Sequence, residues 1–188
     1  MKAATRVITQ KEIDLRLAMR MLWDDHTTWT RAAIVSIAGK LPDINPVVNR
    51  LMKNQEDIGN AVKQFYGNDA GKKLTDLLKE HIQQAYDLVV AARDGEKDKV
   101  DSLTKAWYEN ADMIAAFLTS ANPKYWPMDM TKKHMHEHLD LTLKEAVVRV
   151  QGKWDDDVKA WDAAHAQIFS MADMLSMGIM QQFPDKFM

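Results

Sequence analysis

Residues 12–39 read EIDLRLAMRMLWDDHTTWTRAAIVSIAG, and the spacing within this stretch decides the fold. Apolar side chains recur every three or four positions, which places them on one face of a helix. The members of this stripe are Leu15, Met19, Leu22, His26, Trp29, Ala33 and Ile37. Gly39, followed closely by Pro42, is typical of a helix end. The stretch therefore predicts one long amphipathic helix.

Five more segments repeat this pattern along the 188 residues, separated by glycines or by the proline-containing connector 120–127. No segment alternates apolar and polar residues as a strand does. The sequence predicts a single all-α domain over residues 1–188, a six-helix antiparallel bundle without a sheet. Its three helical hairpins are expected at about 12–66, 69–119 and 128–183.

The first helix of each predicted hairpin carries an acidic residue followed by histidine, with a glycine about a dozen residues later. The three instances are Asp25-His26, Glu80-His81 and Glu137-His138. One interpretation is a diverged threefold repeat of a helical hairpin. The other is coincidence in a helical chain rich in Asp and Ala.

Composition excludes several classes of protein. The chain has no cysteine, which rules out disulfides, thiolate metal sites and cysteine nucleophiles. Its formal charge is −2 with no basic run, so we expect no nucleic-acid partner. Its apolar runs are far shorter than a bilayer requires, so we expect no membrane insertion. The first eleven residues lack the apolar core of a signal peptide, which favours a cytoplasmic protein or an exported one whose leader has been removed.

Four histidines lie on the apolar stripes of their predicted helices and at comparable depth in the bundle. With one carboxylate they form a candidate interior metal site made of His26, His81, His138, His165 and Glu145. Imidazole suits zinc, copper and iron, and an interior of this kind can also hold haem. In the alternative interpretation, each buried histidine bonds an aspartate at matching depth, Asp57 or Asp112, and completes the core.

A second candidate lies on the surface, within the methionine-rich and histidine-rich residues 128–138. His134 and His138 are four residues apart and can chelate one ion on a helix, whereas His136 points away. Thioether and imidazole ligands together favour copper. The alternative is a helix start whose methionines are flexible filler.

Aromatic residues on the same stripes can line a small-molecule cavity between helices. The candidate ligand-binding residues are Trp23, Trp29, Arg31, Trp107 and Trp161. Such a stripe is also typical of an ordinary core. No nucleophile motif and no phosphate loop is present.

Three motifs resemble an uncharacterised bacterial family of small all-helical proteins. They are LWDDH with WTR at residues 22–31, NQEDIGNA at 54–61 with FYG at 65–67, and QFPDKF at 182–187. Members of that family carry names such as glycosyltransferase or acetylglutamate kinase. Enzymes of those two kinds are built on parallel sheets, and this sequence predicts no strand. The resemblance therefore implies a helical fold and no activity.

Three functions remain open from the sequence. The first is a non-enzymatic protein that holds a small ligand or a transition metal in the bundle interior. The second is a metal-dependent enzyme that uses the same interior, with Glu145 near an open coordination position. The third is an oligomerising helical module, which predicts a continuous exposed apolar stripe.

Overall fold

The computed structural model of the protein describes residues 8–188 and contains six long helices. They are α1 Gln10–Ala38, α2 Ile44–Tyr66, α3 Asn68–Asp94, α4 Lys97–Ala121, α5 Met128–Val150 and α6 Trp154–Gln182, followed by a short 3-10 turn at Pro184–Lys186. Residues 8–188 contain no β-strand. The predicted all-α, six-helix architecture is confirmed.

The helices form a closed ring in chain order. Each helix packs against the next one, and α6 returns to pack against α1. The odd-numbered helices α1, α3 and α5 also contact one another at the centre of the ring. Residues on their inner faces therefore share one interior.

A buried tryptophan ties the α4–α5 connector to the last helix. Trp126 is almost fully buried, and its indole Nε1 donates to the carbonyl of Met174 at 3.3 Å. It fits because residue 178 is a glycine, where a Cβ would lie only 2.0 Å from Trp126 Nε1. The Asn122 side-chain amide donates to the Gly178 carbonyl at 2.9 Å. These contacts fix the height at which α5 begins beside α6.

Two glycines let α2 and α3 approach closely. A Cβ built on Gly59 would lie 1.9 Å from Thr75 Oγ1 and 2.7 Å from the Gly71 carbonyl oxygen. A Cβ on Gly71 would meet the Gly59 carbonyl oxygen at 2.7 Å. Neither position has room for a side chain, so the two backbones set the crossing distance.

An exposed apolar stripe runs along the outer face of α1. Leu17 and Met21 are 61% and 65% exposed, and Ile13 is also exposed. Ile8 and the exposed Met177 of α6 border the same face. The stripe is separate from the core face of α1, which carries Met19 and Trp23. No helix within residues 8–188 has the length and apolarity that crossing a bilayer requires.

Candidate functional site

The three inner helices bring three histidines together at the centre of the ring. His26 of α1, His81 of α3 and His138 of α5 are all almost fully buried. The ring centroids of His26 and His138 are 5.6 Å apart, and those of His81 and His138 are 6.5 Å apart. Each histidine lies thirteen or fourteen residues before the glycine that follows its helix. This equal spacing explains why the three side chains lie at the same height along the bundle axis. We call these residues the three-histidine cluster.

The outer helices carry a matching repeat of buried amides. Asn54, Asn110 and Gln167 each lie fifteen residues after the glycine of their hairpin, Gly39, Gly95 and Gly152. Each side-chain amide donates to the backbone carbonyl four residues before the cluster histidine of the same hairpin. The acceptors are Leu22 at 2.9 Å, Leu77 at 3.2 Å and His134 at 3.0 Å. The shared geometry supports the hairpin-repeat interpretation.

One of these amides also fixes the tautomer of a histidine. The nitrogen of the Asn110 amide donates to Leu77, so its oxygen Oδ1 faces His81 Nδ1 at 2.9 Å. Because an amide oxygen only accepts, His81 Nδ1 must carry the proton. The lone pair of His81 therefore lies on Nε2.

Two tryptophan rings flank the cluster. The Trp23 and His26 ring centroids are 5.3 Å apart, and those of Trp107 and His81 are 5.1 Å apart. Both indoles are buried and belong to the main apolar core. They shield the imidazoles from water on two sides.

Each cluster histidine has one ring nitrogen without a hydrogen-bond partner among residues 8–188. These atoms are His26 Nδ1, His81 Nε2 and His138 Nδ1, all inaccessible to solvent. A buried polar atom without a partner is rare in native proteins and often marks a bound water or ion. The Nε1 atoms of the flanking Trp23 and Trp107 also lack a partner in the described part of the chain, so several buried polar atoms without a hydrogen bond lie around the three rings.

Burial keeps the three imidazoles neutral at pH 7. Desolvation lowers the pKa of His26 to about 4, although the neighbouring Gln55 and Asn54 side chains act to raise it. Desolvation also lowers the pKa of His81 to about 3, with Asn110 opposing the shift. The pKa of His138 is well below its usual value, mainly because the ring is buried. Repulsion from positive charge on His26 and His81 lowers it further. A neutral imidazole can bind a metal, whereas a protonated one cannot.

We expect the metal-free protein to lose stability as the pH falls from about 6.5 towards 4. The unfolded chain takes up protons on these histidines in that window while the folded protein does not, so the free energy of unfolding decreases. Each group contributes up to about 1.4 kcal/mol per pH unit. Glu145 has the opposite effect on the free energy of unfolding, because its pKa is raised to about 7 and the folded protein therefore takes up this proton before the unfolded chain does. This one carboxyl offsets only part of the contribution of the three histidines. Urea unfolding at several pH values with EDTA present measures the slope.

The matched variants for this measurement are His81→Gln and Asn60→Gln. His81→Gln removes one buried titrating group and is expected to lower the slope by about one third to one half, because Glu145 offsets part of the histidine contribution. Asn60→Gln changes an exposed residue that carries no titrating group and should leave the slope unchanged. Equal slopes in the wild type and His81→Gln would contradict the assignment.

The spacing of the rings is close to that of a metal site but not identical to it. Three imidazoles on one tetrahedral ion, with Zn–N bonds of about 2.0–2.1 Å, have ring centroids roughly 5 Å apart. The observed 5.6 and 6.5 Å are slightly larger. Within residues 8–188, no three ligating groups already stand in coordination geometry. Binding would therefore require the rings to turn inward.

The fourth predicted histidine and the predicted carboxylate lie elsewhere. His165 is partly exposed, pairs with Asp24 of α1 and stacks on Trp161. The Glu145 carboxylate accepts from Arg31 Nη1 at 2.9 Å. The structure thus brings together three of the five predicted interior ligands.

The predicted aromatic ligand-binding residues are also divided. Trp23 and Trp107 flank the cluster, whereas Trp29 packs under the Arg50 guanidinium, which is 5.3 Å from its ring. Arg31 binds Glu145 and Asp157, and Trp161 lies with His165. These five residues do not line a common cavity.

The two histidines of the predicted surface chelate face different sites. His138 belongs to the three-histidine cluster, while His134 lines an outer groove between α5 and α6. His136 bonds Asp112 at 2.7 Å.

The polar residues that accompany the cluster were not predicted. In the interpretation where the buried histidines complete the core, their partners are Asp57 and Asp112, but Asp57 faces Lys53 and Asp112 faces Lys132. The actual partners are amides, and Asn54 and Asn110 hold the corresponding places. Their equal spacing from the helix-ending glycines was the available signal.

Comparison with protein-family models, curated proteins and solved structures finds no match to this chain, so the family resemblance stays a prediction.

Proposed function

We propose that the protein is a non-enzymatic binding protein whose three-histidine cluster holds one transition metal ion. The observation that carries this proposal is the set of three neutral, buried imidazoles on neighbouring rings, each with an unpartnered nitrogen. Imidazole nitrogens suit zinc, copper, iron and nickel.

The size of the interior favours an ion over an organic ligand. Drug-sized ligands and cofactors occupy pockets of about 300–1,000 Å³. Two cavities within the core measure about 40 and 20 Å³; both are lined almost entirely by apolar side chains, and neither is lined by a histidine of the cluster. Haem does not fit such an interior, whereas a single ion needs only that the rings turn.

The surroundings of His81 resemble the outer shell of a metal ligand. Metal-bound histidines usually donate their second ring N–H to a fixed acceptor, which orients the ring. Asn110 Oδ1 provides that acceptor, and Asn110 is held in turn by Leu77. The His81 lone pair on Nε2 is thereby directed away from Asn110 and left available.

The test is metal uptake during refolding, because a buried site opens slowly in the folded protein. Untagged protein is unfolded in urea with EDTA, desalted, and refolded with Zn²⁺ or Co²⁺. We expect one ion per chain and a tetrahedral Co²⁺ absorption band. Zn²⁺ at 100 times its Kd adds about 2.7 kcal/mol, which raises the melting temperature by roughly 5–10 °C.

The matched pair of variants is His138→Gln and His136→Gln. His138→Gln should abolish the Co²⁺ band, and His136→Gln should retain it, with circular dichroism confirming that both fold. The proposal fails if the wild type takes up no stoichiometric metal, or if His138→Gln folds and binds as well as the wild type. Either result would favour a cluster satisfied by water.

The enzymatic alternative needs a free carboxylate beside the ion. Glu145 is engaged by Arg31 and is therefore not free to act as a base. Within residues 8–188, no hydrogen bond or ion pair joins a carboxylate to any of the three rings, so we favour binding over catalysis.

One observation favours a second candidate, self-association through α1. The exposed stripe of Ile13, Leu17 and Met21 has the i, i+4, i+8 spacing of a helix face that packs on another helix. Its occupant would be a second copy of this chain. Light scattering after gel filtration should then show a dimer that Leu17→Asp converts to a monomer, and a monomeric wild type would exclude it.

A further inference from the structure

A second group of potential ligands lies outside the interior, in the groove between the start of α5 and the second half of α6. The groove encloses about 530 Å³, and we call it the Met130–Met177 groove. Its sulfur and nitrogen donors are Met130, His134, Met174 and Met177.

Helical spacing places these four side chains in two adjacent pairs. Met130 and His134 are four residues apart on α5, and Met174 and Met177 are three apart on α6. The antiparallel register is fixed at both ends of the groove. Gln167 donates to the His134 carbonyl at 3.0 Å, and Trp126 donates to the Met174 carbonyl at 3.3 Å.

The histidine of the groove has an available nitrogen. His134 Nδ1 is shielded from solvent and has no hydrogen-bond partner among residues 8–188. On the opposite wall, the Met177 side chain is 51% exposed. The groove thus combines a shielded ring nitrogen without a partner in the described chain, two partly buried methionines and the exposed Met177.

The one carboxylate of the groove is already neutralised. Asp173 accepts two-pronged hydrogen bonds from both Arg16 and Arg20, at 2.6–2.9 Å. This leaves only uncharged donors, and hard divalent cations such as Mg²⁺ and Ca²⁺ require carboxylate oxygens. Thioether and imidazole together select soft Cu(I).

We propose that the Met130–Met177 groove binds one Cu(I) ion through the His134 imidazole and the thioethers of Met130, Met174 and Met177. This site is independent of the three-histidine cluster and of the function proposed for it. Its ligands are neutral, and Arg16 and Arg20 together exceed Asp173 by one positive charge, so a monovalent ion meets less repulsion than a divalent one. The groove opens to solvent, so loading requires the shielded His134 ring to turn but does not require unfolding.

The experiment is an anaerobic competition for Cu(I), supplied as its acetonitrile complex, between the folded protein and the chromophoric chelator bicinchoninate. We expect one Cu(I) per chain. The variant Met130→Leu/Met177→Leu keeps the side-chain volume but removes two sulfurs. It should weaken Cu(I) binding about tenfold or more, and His134→Gln should do the same.

The control is Met113→Leu, which changes an exposed methionine on α4 far along the chain from the groove. X-ray absorption of the Cu(I) protein should show sulfur and nitrogen neighbours. Uptake that is unaffected by the double methionine variant overturns the proposal, as does an absence of stoichiometric uptake. Cu(I) binding lost only in His138→Gln would assign the ion to the interior cluster, whereas Zn²⁺ loading of that cluster should not change in the methionine variant.

Discussion

Arg31→Met is expected to lower the free energy of unfolding by about 3–5 kcal/mol, because it leaves the buried Glu145 without its cation and removes one of the two cations of the buried Asp157. Arg31 bonds Glu145 at 2.9 Å and Asp157 Oδ2 at 2.7 Å, with a further contact to Asp157 Oδ1. Glu145 and Asp157 are each only 1% exposed. Arg149 remains on Asp157 at 3.1 Å and compensates part of the loss. Urea unfolding at pH 8 measures the difference.

The loss should shrink as the pH falls. Burial raises the pKa of Glu145 to about 7, and Arg31 opposes that rise. Without Arg31 the carboxyl takes up a proton more readily, so below about pH 6 it no longer carries an unpaired charge. Arg16→Met is the control, because Arg16 is half-exposed and Arg20 also holds Asp173, so its loss should stay below about 1 kcal/mol. Equal losses for the two variants, or a loss independent of pH, would contradict this account.

Gly59→Ala is expected to destabilise the protein by about 3 kcal/mol, although alanine is intrinsically the better helix former. The new methyl group would overlap Thr75 Oγ1 and come too close to the Gly71 carbonyl. Thr75 can change its rotamer, but the Gly71 backbone cannot move without separating α2 from α3. Thermal and urea unfolding measure the effect.

Two further variants test the cause. Asn60→Ala changes the exposed neighbour of Gly59 and should alter stability by less than about 0.5 kcal/mol. Gly59→Ala/Thr75→Ala removes the hydroxyl clash but not the carbonyl clash, so it should recover only part of the loss. Full recovery would show that the backbone approach is not the limiting contact.

The helices could be predicted because their signals are local. Apolar spacing and the glycines Gly39, Gly67, Gly95 and Gly152 mark the helical segments, and all of these signals lie within a few turns of chain. The inward direction of His26, His81 and His138 followed from the same spacing.

The position of His165 could not be predicted in this way, because α6 packs through small residues. The apolar pattern of the sixth helix places Trp161 and His165 on its inner face, yet both are only partly buried. The buried face of the first half of α6 instead carries Asp157, Ala160 and Ala164. Small side chains allow close helix packing, while the aromatic residues cover the outside. A prediction that gives large apolar residues more weight than alanine therefore selects the wrong face for the first half of α6.

The partners of the cluster were mispredicted for an electrostatic reason. Burying a carboxylate costs far more than burying an amide that makes its hydrogen bonds. The structure accordingly buries Asn54, Asn110 and Gln167 and leaves Asp57 and Asp112 with cations at the surface. The predicted partners, Asp57 and Asp112, lie within one helical turn of the observed ones, Asn54 and Asn110. The difference between a carboxylate and an amide decides which of these side chains turns inward.

The contact between α6 and α1 has a consequence for how the hairpin units hold together. Open arrays of helical repeats need terminal capping units with a polar outer face, since the first and last repeats would otherwise expose an apolar flank. Here the flank of the third unit is covered by the first. No unit is terminal, so each one depends on both others, and unfolding should be a single cooperative transition rather than a progressive loss of repeats from one end.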